Sequence, residues 1–399
     1  MQSKRFYAPI LWCTFIALPA QAATIKEAFA LASQLDEPTY AAQQNKAKSA
    51  LRNAQSMTPE PLSLTISGIN SLNDNLSPTQ DAREYEVELG IPLWQWGQKD
   101  RLLTQLNHLN QLEQSQLMFD RWELAGQLRE AVWAARLAKL SQESAQQKLQ
   151  ALEKISQDLA RQLKAGEVAP LDVNQAKQAV LEAQLQLALS QQVFMESLQQ
   201  FQALAGETPL PDETEALPIS LDALAHPQRQ ALQAQTDLAR AQLAQAQYDT
   251  SDTPELALSL ARERGSPDES YKNFGKISLR IPFGSDGRTQ ARVTSANAEL
   301  INAQTRIQRS ERQVSAQQQA AKQARTQASL QLQTAQQSLQ LATQAWDWQQ
   351  RSYRAGQTSL TTYLTAQVDF LERGFAVQRA DLELGRANSR YLQSIGVLP

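Results

Sequence analysis

The chain has 399 residues, a formal net charge of −3, 42% hydrophobic residues and only 14 glycines and 16 prolines. These figures exclude a collagen-like or generally disordered chain and provide no basic excess with which to bind nucleic acid. What remains is a bias toward Ala, Gln and Leu, strong helix formers whose abundance predicts long helices packed closely through small side chains.

Residues 1–22 read as a signal peptide. Lys4 and Arg5 supply the charged start, an apolar run follows from about Tyr7 to Leu18, and the small residues Ala20 and Ala22 precede a cut ahead of Ala23. The run is too short to span a bilayer, and nowhere else are there the roughly 20 consecutive apolar residues of a transmembrane helix. The single cysteine, Cys13, lies inside this segment behind bulky Trp12, well upstream of the cut, which argues against lipid attachment. The mature chain is therefore expected to hold no disulfide, thiolate metal site or cysteine nucleophile.

A first structural repeat is expected over 23–209. It opens with a short helix from about Pro38 to Met57, with Pro in the first turn, where its missing N–H costs nothing. Two alternating segments follow, within about 62–93. Leu62, Leu64 and Ile66 oppose Ser63, Thr65 and Ser67, and Tyr85, Val87, Leu89, Ile91 and Leu93 oppose Glu84, Glu86 and Glu88. Period-two alternation of this length predicts strands with one apolar and one wet face. A long helix from about 98 to 163, a turn at 165–170 and a medium helix from about 171 to 204 complete the repeat. The long helix would measure about 100 Å at 1.5 Å per residue.

The second repeat, 210–399, has the same plan: a short helix at about 227–248, a hairpin at about 254–283, a long helix at about 288–354, a turn at 355–360 and a helix at about 361–394. Its strands place Leu256, Leu258 and Leu260 opposite Ala257 and Ser259, and Ile277, Leu279, Ile281 and Phe283 opposite Lys276, Ser278 and Arg280. Pro92 recurs as Pro282, Gly166 as Gly356 and Gly206 as Gly396, each 190 positions on (282 − 92 = 190), and Pro38 recurs as Pro227 at nearly the same offset. Shared order and spacing make the chain a duplication. End to end, a short and a medium helix would nearly match the long one, giving a two-layer wall with coiled-coil packing.

The strands fit either a half-buried hairpin or an outer-membrane barrel strand with a polar lumen side. Four strands cannot close a membrane barrel, since the smallest common ones have about eight, so a barrel would be shared; three copies would contribute twelve. The hairpin loops Leu72 to Arg83 and Gly265 to Asn273 would then lie outside the cell. Trp94, Trp96 and Phe283, at the opposite strand ends, suit either an aromatic belt or packing against the helices.

Together these features resemble the TolC family of outer-membrane efflux proteins over essentially the whole mature chain. The most specific stretches are the turns AGEVAPLDVNQAK (Ala165 to Lys177) and AGQTSLTTYLTAQ (Ala355 to Gln367), which align without a gap. The glycines suit left-handed helix ends, and Pro170 or Thr361 suits the start of the next helix. The resemblance implies a mainly α channel-tunnel: long helical hairpins form a periplasmic tunnel, and four strands per chain join a shared 12-stranded barrel in a homotrimer. It also implies a passive exit duct in the outer membrane, served by a periplasmic adaptor and an inner-membrane pump, with a pump of the resistance-nodulation-division class preferred and type I protein secretion as the alternative. By the same resemblance, Gly166, Glu167, Val168, Gly356, Gln357 and Thr358 form the periplasmic tip and adaptor contact. Asp172 and Tyr353 match a carboxylate and an aromatic that latch the aperture, and Thr362 and Thr365 stand where some relatives carry an acidic, cation-binding ring. The lipid-facing residues are Leu62, Leu64, Ile66, Val87, Leu89, Ile91, Leu256, Leu258, Leu260, Ile277, Leu279 and Ile281.

No phosphate-binding glycine loop, HExxH or nucleophile elbow is present, so no catalytic residue, metal or cofactor is expected. His108, within a long helix, and His226, ahead of Pro227, are expected in surface or capping roles. A structural coiled-coil envelope protein and a periplasmic enzyme or binding protein are the readings from other classes. Behaviour as a monomer or dimer in detergent would favour the first, and full recovery without detergent the second.

Overall fold

The computed structural model describes residues 24–35, 37–70, 83–217, 226–248, 253–266, 268–283 and 287–399. The expected signal peptide and nearly all of the first hairpin loop lie outside the described residues. The chain opens with α1 (Ile25–Leu35), an additional helix ahead of the expected short one. A capping box starts it: Thr24 Oγ1 accepts from the Glu27 N–H at 3.1 Å, and the Glu27 carboxylate accepts from the Thr24 N–H at 3.0 Å. Then come α2 (Glu37–Ala54), β1 (Ser63–Asn70), β2 (Arg83–Pro92), α3 (Gln98–Ala165) and α4 (Pro170–Ala205). The second half continues with α5 (Pro227–Tyr248), β3 (Glu255–Arg264), β4 (Lys272–Arg280), α6 (Gly287–Arg354) and α7 (Leu360–Ser394).

Both α3 and α6 run for 68 residues, about 100 Å at 1.5 Å per residue. Neither contains a proline, and beyond the first residue of α6 their only glycine is Gly126, so nothing interrupts the hydrogen-bond ladder. Among the described residues no helix is long and apolar enough to cross a membrane. The buried positions of α3 recur at helical spacing (Ala125, Leu128, Val132, Ala135, Ala138), and alanine is the commonest, which lets neighbouring backbones approach closely.

Two apolar clusters hold the helices. Ile25, Ala28, Leu128, Val132, Phe201 and Ala205 join α1, α3 and α4 near mid-height. Ile155, Leu159, Val173, Ala176 and Leu364 join α3, α4 and α7 near the far end.

Level with the first cluster, beside Leu128 and Val132 on α3, lies a polar knot. Arg129, only 2% exposed, donates Nε and Nη2 to the Glu215 carboxylate at 2.7–3.0 Å and Nη1 to Gln393 Oε1 at 2.6 Å and the Val397 carbonyl at 2.9 Å. Ser389 donates to Glu215 at 2.6 Å and accepts from Trp133 Nε1 at 2.8 Å. Trp133 is fully buried and lies against Gly385, where a methyl group would overlap the ring. The segment linking the repeats, the C-terminal tail and two helices are thus pinned to one guanidinium.

Beside the knot, Glu130 receives bonds from Arg386 and Arg390, the Nη2 of each at 2.8 Å. Partial burial pushes its carboxyl up, but the hydrogen bonds and charges of the two arginines outweigh this and hold it below the usual carboxylate range. A lowered folded value means that the contribution is full above the unfolded-state carboxylate value and disappears as pH falls through the folded one. Partial exposure of Glu130 (42%) and Arg390 (51%) limits the contribution to about 1 kcal/mol or less. Glu130→Gln is expected to lower the neutral-pH unfolding midpoint slightly, and its difference from the parent to shrink progressively as pH falls below the usual carboxylate range, which parallel thermal melts at pH 7 and at a descending series of acid pH values will check.

Candidate functional site

The four strands form one antiparallel sheet in the order β1-β2-β3-β4. Its register gathers the apolar side chains into rows on a single face. Leu64 stands opposite Leu89, Leu89 opposite Leu258, and Leu258 opposite Ile277. The next row is Ile66, Val87, Leu260 and Gly275, and on the other side Ile91, Leu256 and Leu279 align. Leu62 precedes β1 and Ile281 follows β4, so these two expected strand residues flank the sheet, exposed, in line with the same face.

Among the described residues no element covers this face. Ile277 is 77% exposed, and Ile66 and Leu260 nearly as much. The opposite face carries Glu84, Glu86 and Glu88 on β2 and Lys272, Lys276 and Arg280 on β4, with Ile69 and Phe274 its large apolar members. Among the described residues no strand pairs with the outer side of either edge strand, β1 or β4, which leaves a template for pairing with another chain. At the helix end of the sheet Trp96 is 99% and Phe283 94% exposed, so neither packs against the helices, whereas Trp94 is half-buried with the Lys99 ammonium over its ring.

The helices repeat this incompleteness. Among the described residues α3 packs on α1, α2, α4, α5 and α7, while its counterpart α6 meets α5 and α7 alone. The α7 residues Leu371 and Phe375 face a groove shared with α3. Their counterparts 190 positions back, Leu181 and Leu185 on α4, are exposed, and Leu189 and Val193 extend the same stripe. On α6, Ile301, Leu330, Leu341 and Trp348 are likewise exposed.

At the far end both hairpins turn in the same way. Gly166 has φ +80°, its N–H bonds to the Leu163 carbonyl, and the Glu167 N–H bonds to the Gln162 carbonyl. Gly356 has φ +70°, with its N–H on Tyr353 O and the Gln357 N–H on Ser352 O. This crossed pair satisfies the last carbonyls of the helix and needs the left-handed conformation that glycine adopts without strain. Gly166, Glu167, Gly356 and Gln357 are exposed, but Val168 and Thr358 are half-buried, and Val168 packs against the Ile155 cluster.

Asp172 caps α4, accepting from the Ala169 N–H at 3.3 Å, and lines a groove between the hairpins with Ile155, Leu364, Thr365 and Asp369. Thr362 belongs to the cap of α7: its N–H donates to Ser359 Oγ at 3.2 Å. Tyr353 stacks on Tyr363 at 4.7 Å, and Tyr363 lies 4.8 Å from Trp346 in an aromatic ladder that extends to Phe370. The ladder escaped the sequence reading, although Trp346 and Tyr353, seven residues apart, share one face of α6. Asp172 and Tyr353 thus have separate partners within one chain.

His226 stands in the capping position of α5, where its carbonyl accepts from the Gln230 N–H at 3.0 Å, while its ring is buried 4.9 Å from that of Trp122. Burial pushes its imidazole below the usual histidine range. His108 is half-buried and bonds Gln111. Among the described residues no group of three His, Cys, Asp or Glu could hold a metal ion.

No family model and no curated protein sequence matches the chain. Solved structures do. The outer membrane protein VceC from Vibrio cholerae has a TM-score of 0.74 at 16% identity over 94% of this chain and 96% of that one. The CmeC outer membrane channel of Campylobacter jejuni has 0.72 at 15% over 93% and 85%. CusC, whose crystal structures bear on folding and transmembrane channel formation, has 0.73 at 16% over 98% and 95%.

The chain has the TolC-type channel-tunnel fold. At these identities the likeness is one of fold, and it covers sheet and helices together. CmeC is described as an outer membrane channel, and the CusC structures as bearing on transmembrane channel formation.

Proposed function

We propose that the protein is a homotrimeric outer-membrane exit duct through which substrates, delivered by an inner-membrane pump and a periplasmic adaptor, pass without chemical change. The observation that carries this is a sheet with one exposed apolar face and two unpaired edges, mounted on helices about 100 Å long. Lipid covers the face, and β1 of one copy closes on β4 of the next. Two copies would reach eight strands, whose interior is about filled by side chains; three give twelve and leave a water-filled lumen. The internal duplication supports the same ring: α6 of one copy takes α2 and α4 of the next as α3 takes α5 and α7 within the chain.

The exposed tip residues Gly166, Glu167, Gly356 and Gln357 meet the adaptor, with Val168 and Thr358 behind them. Asp172 and Tyr353 of neighbouring hairpins latch the aperture, beside Thr362 and Thr365. Tyr353→Phe with Asp172→Ala is expected to raise open-state occupancy in planar bilayers; unchanged conductance and occupancy would remove the latch. The pump is assigned to the resistance-nodulation-division class on resemblance.

A deletion strain complemented by the intact gene tests the role. Sensitivity to divalent metals, copper or silver alone pairs the duct with a metal pump, and sensitivity to organic drugs and dyes with a multidrug pump. Loss of an exported protein with neither sensitivity pairs it with type I secretion, and no phenotype of any kind contradicts an export role.

A further inference from the structure

Near the tip the two hairpins leave a cavity of about 430 Å³ between α3, α4 and α7. Ile155 and Leu159 line it from α3, and Leu364 and Val368 from α7. The duplicated helix does not match them. At the α4 positions equivalent to Leu364 and Val368 stand Asn174 and Gln178 (364 − 190 = 174; 368 − 190 = 178), and α4 gives the cavity only Asp172, Gln175 and Ala176. Apolar side chains on two sides and no large one on the third leave the space unfilled. A cavity of this size, walled by apolar groups with a few polar ones converging on it, has the form of a small-molecule site.

Charge selects the kind of molecule. Three carboxylates line the cavity, and among the described residues no lysine or arginine does. Two of the three are neutralised from outside it: Glu372, the farthest from the tip, takes the Lys148 ammonium at 2.8 Å, and Asp369 takes the Arg373 guanidinium at 3.3 Å. Asp172 differs. It is half-buried, and its one partner among the described residues is the neutral Ala169 N–H at 3.3 Å. A phenol donated by a neighbouring copy would leave that charge in place. The cavity thus keeps one negative charge beside an apolar surface. No group of three His, Cys, Asp or Glu among the described residues is placed to hold a metal ion, so the charge suits a cation that brings its own apolar body.

We propose that this cavity binds a lipophilic organic monocation, with its apolar body against Ile155, Leu159, Leu364 and Val368 and its charge beside Asp172. Burial of the body supplies most of the attraction, and the carboxylate, partly shielded from water, sets the sign of the charge that is accepted. The cavity is formed within one chain, so the site does not depend on assembly. In the proposed duct it lies at the periplasmic mouth, where cargo enters.

The test titrates the full-length particle in nonionic detergent with tetraphenylphosphonium and with tetraphenylborate, ions of similar size and shape and opposite charge. Isothermal titration calorimetry against matched empty micelles reads the binding. The phosphonium is expected to bind at least about tenfold more tightly than the borate. Asp172→Asn, which keeps an oxygen for the helix cap, should bring the two ions within about threefold of each other. Thr365→Trp, which fills the cavity from an exposed position on its rim, should abolish phosphonium binding. Glu182→Gln, on α4 outside the cavity, should keep the tenfold preference. Equal binding of the two ions by the parent, or a preference that survives both Asp172→Asn and Thr365→Trp, overturns the site. Assembled particles that bind neither ion, beside dissociated chains that bind the phosphonium, would assign the cavity to a second copy and overturn it as a ligand site. A chain recovered wholly without detergent overturns the duct reading but leaves this test intact, run then without micelles.

Discussion

Glu215→Ala is expected to destabilise the folded chain by about 3–5 kcal/mol, the usual cost of removing one partner of a buried ion pair. Arg129 is 2% exposed and cannot turn to water. With the carboxylate gone, its guanidinium keeps only the neutral oxygens of Gln393 and Val397, and the Ser389 hydroxyl loses its acceptor. Glu215→Gln retains the shape but not the charge, and should cost less. Arg129→Met with Glu215→Leu should recover most of the loss, since a buried pair replaced by apolar groups is near neutral; the Val397 carbonyl and Ser389 keep recovery incomplete. Denaturant unfolding of detergent-solubilised particles, compared at equal protein concentration, measures the series. A loss under about 1 kcal/mol, the value of an exposed pair, would mean that water reaches the knot.

Leu258→Arg is expected to prevent stable assembly in the outer membrane. Leu258 sits in the middle apolar row, between Leu89 and Ile277. A charge at the bilayer midplane of a membrane barrel costs about 2–4 kcal/mol, incurred once in each copy. The matched control is Thr65→Arg, one residue along from Leu64 on the wet face and opposite Glu88, where the new cation gains a partner. Membrane fractionation and the yield of heat-resistant oligomer compare the two. If they behave alike, the apolar rows do not face lipid.

The features that the sequence revealed are those with local signals. Alternation over 85–93 places Tyr85, Val87, Leu89 and Ile91 on one side without reference to any other segment, and the pairing in the structure then carries that side across the sheet. The turns at Gly166 and Gly356 were legible because a helix end needs a left-handed residue. The start of α1 had an equally local signal, Thr24 three residues before Glu27, and escaped because the apparent signal peptide runs directly into it. The knot around Arg129 had none: its partners lie 86, 264 and 268 residues away, and nothing in LREAVWAAR distinguishes a buried arginine from a solvated one. The tip residues are a middle case. Their positions followed from the turn, but the inward direction of Val168 depends on the Ile155 cluster, and Asp172 is engaged with its own helix cap.

The central claim is that one chain is an incomplete wall, closed only by further copies. Light scattering of the particle extracted from membranes, corrected for bound detergent, measures this most directly. Three chains per particle, each of at most 44.4 kDa, is the result that the proposed twelve-stranded duct predicts. A single chain per particle, released without detergent, would contradict it.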